Sequence, residues 1–402
     1  MWAETASYKL MIKNRNIICF APYDWQWKTN GSCKRFMNLF SQENRVLYIN
    51  NIPFVMPELK TIGAHAFRKR FVRKFRSIMK PFFRADHSLF VYTPFLIPPY
   101  GTSKKKILNR FLLQWQIRLL QKALDFSNPI VWIENPVGIT LARPLKPSLV
   151  LYYQIDKYES HRELRDPREI TSLEERLTRE ADLILCVSLT LYEEKLALRK
   201  EGVYYAPHGV DFDHFYKATT SLPLPEDLKG IGHPMVGYFG TLDSKNDTSI
   251  IRYCATRRPD ISFVLIGEIS GKQGEIQYLP NVHFLGFKEY ERLPNYGRAF
   301  DVCIMFWEQS EWIRNCHPVK TMEYLAMGKP VVSVPFEEGL RRYAGMISIG
   351  RSREEFLRNV EDEIANDSEI KRQARLDFVR HETWKARAES ISRIMEQGLG
   401  ER

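Results

Sequence analysis

The sequence predicts an α/β protein built from two doubly wound, Rossmann-like domains that face each other across a cleft. Three observations carry that prediction. Short runs of β-branched and aromatic residues alternate with helix-length segments, the pattern of parallel strands joined by crossover helices. The runs fall into two series, and between them residues 217–231, KATTSLPLPEDLKGI, are rich enough in proline and polar residues to read as a linker. The chain has 402 residues, too many for one core, and its 44% hydrophobic and 13% aromatic content is that of a globular protein.

In chain order, the first series of strand runs is 16–20, 45–49, 89–92, 130–133, 149–153, 183–187 and 203–206, within a domain expected over 1–216. After the linker, the second series is 235–239, 261–266, 282–285, 301–305 and 331–334, within a domain expected over 232–380. Residues 381–402 close the chain, helical over 381–396 and carrying Trp384. Ligands of such sheets bind at the carboxyl ends of the strands, so the candidate site residues are sought there. The last unit of the second series, HPVKTMEYLAMGKPVVSV (317–334), is the most informative. Pro318 suits the first position of a helix, where its missing N–H would have had no partner. Met322, Leu325 and Ala326 share one face, Gly328 is placed as the αL residue that ends the helix, and Pro330 stops any continuation. Val331, Val332 and Val334 then form a buried strand. One carboxylate, Glu323, sits inside this apolar unit, a helical turn after Lys320. Taken alone, the pattern also fits an ordinary αβ unit whose Glu pairs locally.

The formal charge of +11 is concentrated. Residues 67–84, FRKRFVRKFRSIMKPFFR, contain no acid. At about 100° per residue, Phe67, Phe71, Phe75, Ile78 and Phe82 share one helical face and Lys69, Arg73, Arg76, Lys80 and Arg84 the other, with Pro81 ending or kinking the helix. A basic face backed by Phe is the pattern of a helix lying in an anionic membrane surface. A solvated face over a core stripe, a grip on an anionic polymer and a nucleic-acid patch are the alternatives; no nucleic-acid partner is expected, because no recognised binding module accompanies the charge. The six cysteines form no C-x-x-C pair, which argues against a disulfide framework or zinc site and for a reducing cytosol. The N-terminal residues lack a signal-peptide core, and no apolar run reaches the ~18–20 residues that span a bilayer. The expectation is a cytoplasmic protein, peripheral on the inner face of the cell membrane. No His, Asp or Glu cluster has metal-ligand spacing, so neither metal nor cofactor is expected.

The 317–334 segment resembles the nucleotide-binding motif of GT-B glycosyltransferases, nearest the retaining enzymes of family 4. Five further stretches resemble that family in the right order: ADLILCVSLTLYEEK (181–195), APHGVDFDHF (206–215, with His208 where Asn is usual), MVGYFGTLDSKND (235–247), FVLIGE (263–268) and LPNVHFLGF (279–287). The resemblance implies the GT-B fold and metal-independent transfer of a sugar from a nucleoside-diphosphate sugar to an acceptor hydroxyl, with retention. It also implies that Glu323 accepts hydrogen bonds from the donor's ribose while the helix N-terminus faces the diphosphate, and that the terminal helix returns to brace the first domain.

A diphosphate leaving group needs N–H donors or cations where its charge gathers. Gly240 and Thr241 offer a backbone loop for it, with Lys245 and Lys320 as cations. The family's second Glu, eight residues before the ribose-binding one, is Asn315 here. Many relatives instead resemble E-x5-N-P-x-K; Glu311 has that spacing to His317, which stands where the pattern has Asn, so Glu311 and Arg314 are the candidates at the sugar or pyrophosphate. From the first domain, Asp156 at the end of a strand, with His161 behind it, is the candidate at the donor sugar or incoming hydroxyl; an Asp ending a strand is also an ordinary helix cap. Asp24, in the first βα loop (23–31), is the candidate base on the acceptor side, although the Gly-Gly pair of many relatives is absent. The basic segment alone suggests a lipid-linked or cell-envelope glycan as acceptor. Two rivals stay open: a sugar-nucleotide epimerase of the same fold, and a degenerate member that binds nucleotide sugar or scaffolds a glycan-assembly complex.

Overall fold

The apolar runs become strands because helices cover both faces of each sheet. The computed structural model describes residues 10–26, 31–52, 77, 79–97, 103–158, 167–270 and 274–400. It divides into two units: Met1–His208 with Trp384–Arg402, and Gly209–Thr383.

The first unit holds β1 (Asn16–Phe20), β2 (Arg45–Ile49), β3 (Phe82–Asp86), β4 (Leu89–Tyr92), β5 (Ile130–Ile133), β6 (Leu149–Gln154), β7 (Leu183–Cys186) and β8 (Val203–Tyr205). Their order is β3-β4-β2-β1-β5-β6-β7-β8. All neighbours are parallel except the β3/β4 pair. The helices α1 (Ser32–Phe40), α2 (Ser103–Ala123), α3 (Ile139–Ala142), α4 (Pro167–Glu180) and α5 (Leu189–Leu198) connect them. Strand order reverses at β1, which pairs β2 on one side and β5 on the other, making the switch point of this sheet.

The second unit holds β9 (Met235–Phe239), β10 (Ser262–Ile266), β11 (Val282–Gly286), β12 (Val302–Met305), β13 (Val331–Ser333) and β14 (Ser348–Ile349), in the all-parallel order β11-β10-β9-β12-β13-β14. Its switch point lies between β9 and β12. Its helices are α6 (Phe212–Tyr216), α7 (Thr248–Arg257), α8 (Leu293–Ala299), α9 (Glu311–Asn315), α10 (Val319–Ala326), α11 (Glu337–Arg341), α12 (Arg353–Asn366) and α13 (Glu369–Val379). The last helix, α14 (Trp384–Gly400), belongs to the first unit. There Trp384 meets the Phe36 ring of α1 edge-on at 5.4 Å, and Ser392 Oγ accepts hydrogen bonds from the Met11 and Ile12 N–H groups at 2.7 and 2.9 Å.

The structure departs from the sequence expectation at four points. Residues 67–76 and 78 of the basic segment lie outside the described residues, but Phe82 and Arg84, expected on opposite faces of its helix, are in strand β3. β3 turns back on β4 as an antiparallel hairpin, with the Phe82 ring stacked on Phe90 at 6.2 Å. Pro81 separates the two conformations: it supplies no helical N–H and biases the residue before it toward extended backbone. The two-residue strand β14 is too short to register as a run. Residues 209–216, expected in the first domain, and 217–231, expected as a linker, both belong to the second unit, where Phe215, Ala218 and Leu228 are buried in the core. Pro318 is the N-cap of α10 and Val319 its first helical residue, one position later than expected. Gly328 does take the left-handed conformation, φ +71°, with the Lys329 N–H bonded back to the Tyr324 carbonyl.

Candidate active site

At the switch point of the second unit, Gly240 follows β9 and Gly267 follows β10, both at φ +151°, a conformation that disfavours any side chain. A Cβ on Gly267 would stand 1.8 Å from the Gly240 carbonyl oxygen, so the two strand ends touch backbone to backbone. A Cβ on Gly240 would stand 2.3 Å from Lys320 Cε. The space that glycine leaves is thus filled by the Lys320 side chain, whose ammonium lies 5.7 Å from the Tyr238 ring centroid. Helix α10 is tied to the same strand end, since the Phe239 N–H donates to the Tyr324 hydroxyl at 3.1 Å. Lys320 and Glu323, three residues apart on α10 and both half-buried, are therefore held at the carboxyl end of β9.

The 240–247 loop is joined to the segment after β12. The Asp247 N–H donates to the Phe306 carbonyl and the Glu308 N–H to the Lys245 carbonyl, each at 2.8 Å. Lys245 Nζ lies 3.9 Å from the Trp312 ring centroid on α9, a cation–π contact. Glu311 and Arg314 are exposed and line one depression of about 430 Å³ with Ser310, Pro335, Phe336 and Glu337. Ser310 caps α9 by accepting from the Ile313 N–H. Asn315 is buried; its Nδ2 donates to the Glu311 carbonyl at 2.8 Å, and its Oδ1 has no hydrogen-bond partner among the described residues. The position keeps an acceptor but not a charge. His317 is buried with Nε2 3.2 Å from the Tyr343 hydroxyl, which fixes the turn between α9 and α10. The structure thus brings Gly240, Lys245, Arg314, Glu311, Lys320 and Glu323 to one end of one sheet, with Thr241 exposed in the same loop.

In the first unit, Asp156 follows β6, half-buried, with one carboxylate oxygen accepting from the Lys157 N–H at 2.9 Å. His161 lies outside the described residues. Asp24, in the loop after β1, is buried and accepts from the Ser77 hydroxyl at 3.0 Å. Sequence reasoning missed the group at the switch point itself. Glu134, directly after β5, is fully buried and accepts from Trp132 Nε1 at 2.9 Å. Burial pushes its carboxyl up to about 8, and hydrogen bonds from Trp132 and Cys33 offset only part of the effect. His208 is held down to about 3 by burial, its Nδ1 3.4 Å from the Tyr153 hydroxyl. The available signal was an acid two residues beyond Trp132 at the end of an otherwise apolar strand, on the same face by period-two alternation.

Residues 233–366 match the protein family described as Glycosyl transferases group 1. That match covers most of the second unit and about a third of the chain. The match spans Gly240, Thr241, Lys245, Glu311, Arg314, Lys320 and Glu323, and leaves Asp24 and Asp156 outside. A curated relative, TuaH of Bacillus subtilis (strain 168), named as a candidate teichuronic acid biosynthesis glycosyltransferase, is 32% identical over 171 residues. That stretch is 40% of this chain and 43% of the relative. Among solved structures, sucrose-phosphate synthase of Thermosynechococcus elongatus superposes with a TM-score of 0.70 at 14% identity, over 97% of this chain and 100% of that one. HepE of Anabaena, in complex with UDP and glucose, does so with a TM-score of 0.58 at 15% identity, over 96% and 98%. At such identities the likeness establishes the fold, which is GT-B.

Proposed function

We propose that the protein is a glycosyltransferase that moves a sugar from a nucleoside-diphosphate sugar to an acceptor hydroxyl during assembly of a cell-envelope glycan. The observation that carries this reading is the Lys320 ammonium seated over Gly240 at the end of β9, with Glu323 one turn further along the same helix. In the reaction, the bond from the anomeric carbon to the diphosphate breaks and a bond from that carbon to the acceptor oxygen forms. The acceptor proton ends on the departing diphosphate side, and the proposed outcome at the anomeric carbon is retention without a metal. Lys320, Lys245 and the Thr241 N–H neutralise the charge that gathers on the leaving group. Glu323 takes the ribose hydroxyls, Glu311 and Arg314 act at the sugar or pyrophosphate, Asp156 acts at the donor sugar or incoming hydroxyl, and Asp24 serves the acceptor side. The name of the Bacillus subtilis relative supports a cell-envelope glycan, and the UDP and glucose in the HepE structure support the donor class.

A thermal-shift screen of UDP, GDP, ADP, TDP and CMP sugars identifies the donor, because a ligand that binds only the folded state raises its apparent stability. Calorimetry with the free nucleoside diphosphate then tests the site. Glu323→Ala weakens binding by about 1.5–3 kcal/mol, the range for a lost charge-assisted hydrogen bond. Unchanged affinity in the folded variant removes Glu323 from the ribose. Nucleotide release that requires added acceptor separates the transferase from a non-catalytic binder.

A further inference from the structure

Helix α2 packs on the first unit with unusual fastenings. Asn109 exchanges both amide hydrogen bonds with the Ile97 backbone, at 2.8 and 2.9 Å, and Gln116 does the same with Phe95, at 2.9 and 3.0 Å. Leu113 and Ile117 fill the core beside them. These contacts fix the rotation of the helix, and what it presents outward is apolar. Ile107, Phe111, Trp115 and Leu119 follow one another at four-residue steps and are 61%, 65%, 62% and 53% exposed, with Leu108 at 52% and Phe95 at 60%. A soluble monomer rarely leaves so large a contiguous apolar patch in water. Arg110, Arg118 and Lys122 are exposed on the same helix, and residues 87–124 contain no Asp or Glu.

We infer that the outward face of α2 is a docking surface for an anionic lipid bilayer. Aromatic and aliphatic side chains in a row, with long basic side chains interleaved and no acid, are what an interfacial helix needs: the rings enter the acyl boundary while the cations reach up to the headgroups. A second copy of this chain would bring the same cations against one another, so charge favours the bilayer. The helix lies on the surface and does not cross it, since no helix among the described residues is long and apolar enough to span a membrane. This places the contact on α2, whereas the sequence had suggested 67–84. It rests on the proposed envelope-glycan role for its biological sense, but its test needs no turnover.

The full-length protein is sedimented with vesicles of phosphatidylcholine alone or mixed with phosphatidylglycerol, at low and high salt. It binds the mixed vesicles, and more weakly as salt rises. Phe111→Ser with Trp115→Ser lowers that partitioning at least about tenfold while leaving the melting temperature and nucleotide affinity unchanged, because both rings are more than half exposed. Arg110→Glu, Arg118→Glu and Lys122→Glu together abolish the preference for anionic lipid. The inference is overturned if the wild type binds neither vesicle, or if the Ser variant binds as the wild type does. It is equally overturned if the Ser variant turns a dimer into a monomer, which assigns the face to a second copy. A failure of nucleotide binding in the wild type sinks the proposed function and leaves the vesicle result standing.

Discussion

Glu134 is fully buried and His208 half-buried; both are ionisable, desolvation raises the one and lowers the other, and both perturbations disfavour charge. Each makes stability depend on pH within a definite window. Glu134 shifts from 4.5 to about 8, so between those values the folded state keeps a proton that the unfolded state has lost. Its contribution is complete below pH 4.5 and disappears as pH rises through 8. His208 shifts from 6.5 to about 3, so there the unfolded state holds the extra proton, and the contribution is complete above pH 6.5 and disappears as pH falls. The windows overlap between 4.5 and 6.5, where the two slopes oppose. Above pH 6.5 only Glu134 acts, and urea titrations should show the wild type losing stability relative to Glu134→Gln with a slope of up to about 1.4 kcal/mol per pH unit. Below pH 4.5 only His208 acts, and the wild type should lose stability relative to His208→Asn. Parallel curves for wild type and variant in either window remove the corresponding group from the account. Period-two alternation could have placed Trp132 beside Glu134, but the rest was not legible in the sequence, because tertiary packing brings Cys33 to Glu134 and Tyr153 to His208. His208 was noticed only as a departure from Asn.

Among the elements, α10 and the strand after it were legible because three independent signals agree: a proline at the start, an apolar face at helical spacing and a glycine at the end. Strand β3 was not, because the phenylalanines from Phe67 to Phe82 satisfy a helical period; Pro81 marks where a helix would end or kink, but only the pairing with β4 shows that a strand follows it. The strand ends were legible as glycines but not as a contact. Gly240 followed by a polar loop suggests phosphate, yet only the structure shows Gly267 pressed against it and Lys320 above it. The two glycines therefore fail differently. Gly267→Ala drives a methyl group into the Gly240 backbone, which cannot swing aside, and should destabilise the second unit by about 2 kcal/mol or more. Gly240→Ala meets the flexible end of Lys320, which can rotate away. Beyond the strain shared by both positions, its effect should fall on nucleotide affinity, with a loss close to that of Lys320→Ala. Denaturation and calorimetry on the same samples decide it, and equal affinities for wild type and Gly240→Ala would detach Lys320 from the diphosphate.

For the molecule as a whole, two units were legible from the repeated alternation of strand runs and helices, but their borders were not. Residues 217–231 look like a linker because local composition reports flexibility, whereas Ala218 and Leu228 are retained by a core that extends along the chain to Val379. The terminal helix shows the same long reach, for α14 crosses back to the unit that begins the chain. Its buried face is Trp384, Ala388, Ile391, Ser392 and Met395. Trp384→Ala removes a core aromatic that meets Phe36, for a cost of about 3 kcal/mol. Ser392→Ala leaves the Met11 and Ile12 N–H groups without their acceptor, for about 2 kcal/mol. Both costs should fall on the first unit alone. Hydrogen exchange on intact protein reads this directly: amides of β1, β2, β5 and β6 should lose protection in either variant, while those of β9, β10 and β12 keep theirs. The nucleotide proposed to bind the second unit should bind the variants as it binds the wild type, because no group proposed to face it has been touched. If protection falls equally in both sheets, the two units unfold as one body, and the chain answers to a single cooperative transition despite its two cores.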